Sequence, residues 1–455
     1  MHKLAHTAVP GSALQHVLWP AVPGTEGARM LAMQYQFAQS ERWSPEVLAA
    51  AQFAQLGHLL RHAQATVPFY RERLAGLALD RPLDAATFSR IPLLRRQDIQ
   101  EKFDALCSQA VPADHGQSYP GESSGSTGRP IRYLKTELND VFWHAFTVRD
   151  HLWQRRDFSG KLAAIRGPGR LQPGSGTGWG VSTDAAFHTG PVAMSTTEQS
   201  LAAQVEWLMR ENPEYLMGIA SNVQELARYC GRQGLRPSRL REVRTYGEVL
   251  HPGLRSTVRA AWDVPVTDMY SCREGGYLAL QCPQHEHYHV QAEGVYLELL
   301  NAEGQLCSPG ELGRVVITPL HAFAMPLIRY EVGDYAEAGA PCNCGRGLPV
   351  IRCIAGRVRN MLRLPGGGLR YPRFGEYQFG NFEAVRQFQV VQKSLSDIEV
   401  ALVVARPLQP AETEALRALI LKNLGYPFNV SFVYRDAIPR SAGGKYEDFR
   451  SEVAA

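Results

Sequence analysis

Apolar residues recur at helical spacing from residue 44 to residue 65, and that period predicts a helix that stops before Val67 and Pro68. Between about 140 and 275 the pattern alternates. The short apolar runs LAAIRG (162–167), EYLMGI (214–219), REVRTYG (241–247) and VTDMYS (266–271) predict buried strands. NVQELARYCGRQG (222–234) and PGLRSTVRAAW (252–262) predict helices between them. Strand–helix alternation with strands apolar on both faces argues for a parallel sheet covered on both sides. Beyond about 286 the texture changes. HYHVQAEGVYLELL, GRVVITPL and MPLIRYEVGDYAEAG predict strands joined by glycine-containing turns. The last hundred residues change again: two strand-like runs (385–394 and 398–407), a helix (411–425) and a further strand (429–436) predict a small α+β unit, with a boundary near 355–360.

Composition narrows the classes. The chain has 455 residues, of which 45% are hydrophobic and 20% charged, enough to bury more than one core. Its 48 Lys+Arg stand against 44 Asp+Glu, a net charge of +4, with no Lys/Arg block, so a dedicated nucleic-acid binder is not expected. No run of 18 apolar residues suggests a membrane span, and residues 1–24 do not follow the signal-peptide pattern. A cytoplasmic location is expected. Eight cysteines without an export signal read as reduced thiols, and clusters among them as metal ligands.

Four segments carry candidate chemistry. GESSGSTGRP (121–130) strings hydroxyls and glycines together, so that backbone N–H groups can converge on phosphate oxygens; the Walker ending is absent. YGEVL (246–250) and DMYSCREGG (268–276) each end a predicted strand, where open α/β sheets bind ligands, and offer Glu274 as a carboxylate. RYEVGD (329–334) places Asp334 beside a glycine, suited to accept from ribose hydroxyls. IPRSAGGKYEDFR (438–450) places Lys445 after two glycines that allow close approach. Each has an ordinary alternative: a linker, a surface Glu, a turn Asp, a tail Lys.

In order and spacing these segments resemble the acyl-adenylate-forming superfamily, and within it the phenylacetate–coenzyme A ligase-like branch. VPFYRERL (67–74) and IPLLRRQDIQEKF (91–103) are similar to that branch's N-terminal segments. The resemblance implies a large layered α/β N-terminal domain over residues 26–356, after a loosely ordered lead-in (1–25), and a small mobile α+β C-terminal domain over 357–455. It implies ATP-dependent activation of a carboxylic acid as acyl-AMP, then transfer to the thiol of coenzyme A. Lys445 and Glu274 would be catalytic, with Mg²⁺ on the Glu274 side. Ser123, Ser124, Gly125, Ser126, Thr127, Gly128, Gly247, Glu248, Tyr270, Ser271, Asp334 and Arg357 would hold the nucleotide. Arg359 would be the hinge, in AGRVRNML (355–362), and Gly366, Gly367 and Gly368 would approach the pantetheine arm. Two positions depart from the common pattern: Arg273, where many relatives have Thr, and Arg359, where Asp or Lys is usual.

Tyr215, Gly218 and Tyr246 are candidates to line the acyl pocket, whose Tyr and Met residues suit an aromatic or arylalkanoic acid. Cys282, His289, Cys342 and Cys344 have the composition of a closed structural zinc site in a subdomain at about 280–350, with His285 and His287 as alternative imidazoles. Two rivals stand beside the ligase reading: an adenylating enzyme that passes its acyl group to a carrier protein or an amine, and a catalytically silent nucleotide-binding protein. The remaining expectations are a small carboxylic acid and coenzyme A as partners, no nucleic acid, no membrane, and room for a homodimer.

Overall fold

The computed structural model describes residues 9–123, 130–168, 173–357, 360–370, 372, 382, 384–438 and 448–453. The first long helices are Thr25–Ser40 and Pro45–Thr66. The second starts where Ser44 accepts from the Val47 N–H and Pro45 pre-sets the first turn; it ends before Pro68. Leu56, Leu59, Leu60 and Ala63 give it a face with no exposure at all. Each such Leu stabilises the fold by about 2 kcal/mol.

The central feature is one mixed sheet. A separate hairpin, β1 (Ser118–Glu122) and β2 (Arg132–Thr136), flanks the hydroxyl-rich segment. The sheet itself contains β3 (Leu162–Arg166), β4 (Gly174–Gly176), β5 (Val192–Thr196), β6 (Tyr215–Ile219), β7 (Glu242–Tyr246), β8 (Val266–Cys272), β9 (Gly276–Gln281), β10 (Tyr288–Val290), β11 (Val295–Leu300), β12 (Leu312–Pro319), β13 (Tyr330–Ala338) and β14 (Val350–Arg357). Their order is β11-β12-β13-β14-β10-β9-β8-β7-β6-β3-β5-β4. The runs read as buried parallel strands are parallel: β3 pairs with β5 and β6, β6 with β7, and β7 with β8. The later strands do not form a sheet of their own. β9 pairs antiparallel with β8, and β10 and β14 carry the sheet onward to β13, β12 and β11.

One face of the parallel part is covered by the helices Leu201–Glu211, Ala220–Gln233 and Pro252–Trp262, whose core includes Leu208, Val223, Leu226, Val258 and the fully buried Trp262. The last two helices end on Gly234 and Asp263 in the left-handed conformation, a common helix stop. The other face meets the helices Thr25–Ser40 and Glu137–Trp153. Buried arginines cross this layer, each with a carboxylate: Arg149 with Glu293, Arg156 with Asp150 and Glu242, and Arg244 with Asp150.

The C-terminal unit is α+β. β15 (Leu362–Arg363) and β16 (Leu369–Arg370) form a hairpin. β17 (Val385–Gln392), β18 (Asp397–Val404), β19 (Asn429–Tyr434) and β20 (Phe449–Ser451) form a four-stranded sheet in the order β19-β18-β17-β20, with the helix Pro410–Leu424 against it. Its buried core draws only on residues from Leu362 onward. The architecture is thus a large layered α/β domain followed by a small α+β domain, as expected. One polar approach between them is His251 Nε2 to Asp448 Oδ2 at 3.4 Å. Among the described residues no helix is long and apolar enough to cross a membrane.

Candidate active site

Asp334 lies on β13, after Gly333, whose φ of 88° favours glycine. The carboxylate is 8% exposed. Its Oδ2 accepts from the Tyr270 hydroxyl at 2.7 Å, and its Oδ1 lies 2.9 Å from Arg357 Nε. The register of β13 and β14 places Asp334 opposite Arg357, so the pair follows from strand pairing. Arg357 also donates to the Val332 carbonyl at 2.9 Å. The Asp334 carboxylate holds the Arg357 guanidinium above its ordinary pKa. Burial, and then Asp334, push the Tyr270 phenol far above its own.

Glu274 is also buried. It sits in the turn between β8 and β9, and Tyr330 donates to it at 3.5 Å. Lys135, on β2, faces the same charge; burial lowers its pKa while Glu274 and Asp140 pull the other way. Tyr330 and Lys135 were not singled out from the sequence. Tyr330 stands within RYEVGD, a segment singled out there for Asp334 alone. Ser271 pairs across to Tyr277 on β9. Arg273, the departure noted above, donates to the Glu122 carbonyl at 2.7 Å and so ties this turn to the β1 end of the hydroxyl-rich segment.

Of the candidate nucleotide-binding residues in that segment, Ser123 is the one among the described residues. Its Oγ accepts from the Ile131 N–H and from Arg96. Ser124, Gly125, Ser126, Thr127 and Gly128 lie outside the described residues, as do Arg359 and Lys445. Gly366, Gly367 and Gly368 form the exposed turn of the β15–β16 hairpin, with Gly367 at φ 84°.

Tyr246 ends β7; Gly247, which follows it, has φ 79°, and Glu248 accepts from the Ser221 N–H at 2.8 Å. Gly218 lies in β6 where a Cβ would meet Val223 at 2.9 Å, a close strand–helix contact. Tyr215 lies at the other end of β6, in the apolar cluster that also takes in Met217 and Tyr246. It opens β6 rather than closing it, and its hydroxyl accepts from the Asp157 N–H at 2.7 Å. Its ring packs under Trp179 at the entry end of the strand.

A second cluster lies on β9, β10 and the loop that follows β13. The ligand atoms of Cys282, His289, Cys342 and Cys344 all fall within 4.8 Å of one another. Cys282 and Cys342 sulfurs are 4.0 Å apart, and Cys344 Sγ is 3.3 Å from His289 Nε2. A zinc tetrahedron with Zn–S bonds of about 2.3 Å has edges of ~3.8 Å, so the donor set and spacing fit that ion. Burial, with His287 and Arg346, holds His289 down at about 4, so it is neutral and able to ligate. Of the two alternative imidazoles, His285 turns to Asn343 instead, and His287 is not among the four residues whose ligand atoms converge.

Comparison with known proteins follows from this geometry. Residues 376–451 match the model of the CapK C-terminal domain. Over 91% of its length the chain is 27% identical to phenylacetate-coenzyme A ligase of Thermus thermophilus, covering 98% of that protein. It is 25% identical to the enzyme of the same name from Escherichia coli K12, with the same two coverages. Among solved structures, 2-hydroxyisobutyryl-CoA ligase in the postadenylation state, bound to R3-HIB-AMP, superposes with a TM-score of 0.70 at 18% identity, covering 91% of this chain and 92% of that one.

Proposed function

The chain is a member of the acyl-adenylate-forming superfamily, on its phenylacetate–coenzyme A ligase-like branch, and on that premise we propose that it is an ATP-dependent ligase that joins an aromatic or arylalkanoic acid to coenzyme A. The observation that carries the reading is the arrangement of Asp334, Tyr270 and Arg357 next to the turn that holds Glu274. A buried carboxylate that follows a positive-φ glycine in its strand can accept from ribose hydroxyls, and a second acidic group close by suits the phosphate side.

In the first half-reaction a substrate carboxylate oxygen attacks the α-phosphorus of ATP. The bond to the bridging oxygen breaks and pyrophosphate leaves with its electron pair. Nucleotidyl transfer of this kind asks the protein mainly for alignment and charge compensation. Asp334 would orient the ribose. Ser123 and the hydroxyl-rich segment would hold the departing phosphates. Lys445 would stabilise the charge that develops at the reacting centre. Mg²⁺ on the Glu274 side would supply charge neutralisation of the phosphates. In the second half-reaction the coenzyme A thiolate attacks the acyl carbon and AMP leaves. The hinge at Arg359 and the Gly366–Gly368 turn would serve that step, once the C-terminal domain has moved. A structural Zn²⁺ held by Cys282, His289, Cys342 and Cys344 would staple β10 to the loop before β14.

The test is pyrophosphate release over a panel of carboxylic acids, with and without coenzyme A. Release with at least one aromatic acid, and acyl-CoA as the product by mass, is the expected result. Absence of release with every acid would overturn the reading. Release followed by transfer only to a carrier protein or an amine would move the chain to its rival within the same superfamily.

A further inference from the structure

Arginine buried in this fold is matched with acid throughout. Arg149, Arg156, Arg244 and Arg329 each have a carboxylate oxygen within 2.9 Å. Arg166 breaks that pattern. It closes β3, the last residue of the buried run LAAIR. It is half-buried and has no carboxylate within ion-pair distance among the described residues; the Tyr246 side chain is its hydrogen-bonding neighbour, and its Nε, like those of Arg149 and Arg244, is shielded from solvent with no partner of its own. A shielded donor left unpaired in a native fold calls for an explanation.

The surroundings say what is missing. The guanidinium carbon stands 5.2 Å from the centroid of the Tyr246 ring, at the end of β7. Below Arg166, on the same side of the sheet, lie Ala164, Met217 and Met194. Arg166 is therefore a cation over an aromatic and apolar floor, at the carboxyl ends of parallel strands, where open α/β sheets take their ligands. It stands apart from the nucleotide end. From β8, which carries Tyr270, to β3 is three strand steps, roughly 14 Å at the usual spacing. Tyr246 bridges that span: it starts one strand from Tyr270, and its hydroxyl reaches the Ile165 carbonyl at 3.3 Å.

We propose that Arg166 receives an oxygen at the far end of the substrate, so that the preferred acids carry a second hydrogen-bond-accepting oxygen, a hydroxyl or a second carboxylate, beyond an aromatic or apolar middle. The inference rests on the acid–coenzyme A ligase reading and narrows it. It also amends the expectation of an acyl pocket built from Tyr and Met alone. A site that keeps a donor for such an oxygen discriminates strongly against the analogue that lacks it, because that donor is then left unpaired.

The experiment is steady-state pyrophosphate release by the full chain with matched acids: benzoate against 4-hydroxybenzoate and terephthalate, and phenylacetate against 4-hydroxyphenylacetate. Wild type is expected to favour an oxygenated member of a pair by at least tenfold in kcat/KM. Arg166→Leu should abolish that preference through KM for the acid, with KM for ATP unchanged. Arg166→Gln, which keeps a donor and most of the shape, should retain part of it and guards against a variant that fails to fold. Equal use of both members by wild type overturns the proposal while leaving the ligase reading intact. So does a variant with an unchanged ratio, or one that raises KM for ATP alike with every acid, which would assign Arg166 to the phosphates. Failure of wild type to release pyrophosphate with any acid overturns the ligase reading and this inference with it.

Discussion

Asp334 already accepts from Tyr270 and pairs with Arg357, yet a carboxylate has room for further donors. Under the ligase reading those are the ribose hydroxyls. Asp334→Ala should lower kcat/KM for ATP by about 10–10²-fold, the cost of losing hydrogen bonds to a charged acceptor. Wild type should use 2′- or 3′-deoxy-ATP clearly less well than ATP, and the variant should lose most of that discrimination. Equal use of both nucleotides by wild type would leave Asp334 with a structural role alone, holding Tyr270 and Arg357. Lys445→Ala should slow adenylation by about 10²–10³-fold while transfer from supplied acyl-AMP survives; equal loss in both half-reactions would refute the assigned role. Asp268 makes a prediction about stability instead. Burial pushes its carboxyl up to about 6, although Thr245 and Tyr288 donate to it. The folded chain therefore holds this proton more tightly than the unfolded one. Its contribution is complete below the ordinary carboxylate range near 4 and is lost as pH rises through about 6. Relative to Asp268→Asn, wild type should lose about 1 kcal/mol between pH 5 and 7 in urea unfolding. A difference that does not vary with pH would disprove the shift.

At the scale of elements, the cysteine loop before β14 does more than gather ligands. Gly347 donates to the Glu41 carbonyl at 2.9 Å, and Arg346 lies 3.4 Å from the Glu41 carboxylate while its guanidinium stacks over Trp153. The cluster is thus joined to the turn between the first two long helices. Purified protein should hold about one zinc per chain by elemental analysis. Cys344→Ser should lose it and melt several degrees lower, with the nucleotide KM little changed. Full stability without metal would count against a structural ion. Much at this scale was legible beforehand. The runs that became β3 and β6 are apolar on both faces except for the closing Arg166, and such runs read the same whether or not their neighbours are known; β7 and β8 are buried as well but carry Glu242, Arg244 and Asp268 within them. The Cys282 spacing was legible too, but the choice of His289 over His285 depends on which way each ring turns, and no spacing encodes that. Arg166 escaped notice because a single cation closing an apolar run looks like an ordinary strand end. Its lack of a carboxylate partner shows only once the strands are assembled. The place of Tyr215 was not legible for a related reason: an aromatic in a ligand-bearing strand says nothing about which end of the strand it occupies.

At the scale of the whole molecule, the strand order was not legible. That β9 to β14 extend the parallel sheet rather than fold separately is decided by the β8–β9 pairing, a contact that local pattern does not specify. The boundary expected near 355–360 falls in the loop-rich segment that precedes Leu362, the first residue of the small unit's core. Its energetic meaning lies in the cores. The apolar cluster of Leu362, Phe388, Val400, Leu416, Ile420 and Phe449 takes no member from the sheet of the large domain. The small domain can therefore turn about its connection without uncovering a shared interior. The same separation has a calorimetric consequence. Two interiors that share no side chains need not melt together, so a scan of the intact chain should resolve two heat-absorption peaks rather than one. The smaller should carry ~60 kcal/mol, from about 0.7 kcal/mol per residue over the unit spanning 362–451. Core substitutions such as Leu416→Ala should move that peak alone, and a single peak that shifted as a whole would mean that the two bodies are thermodynamically one.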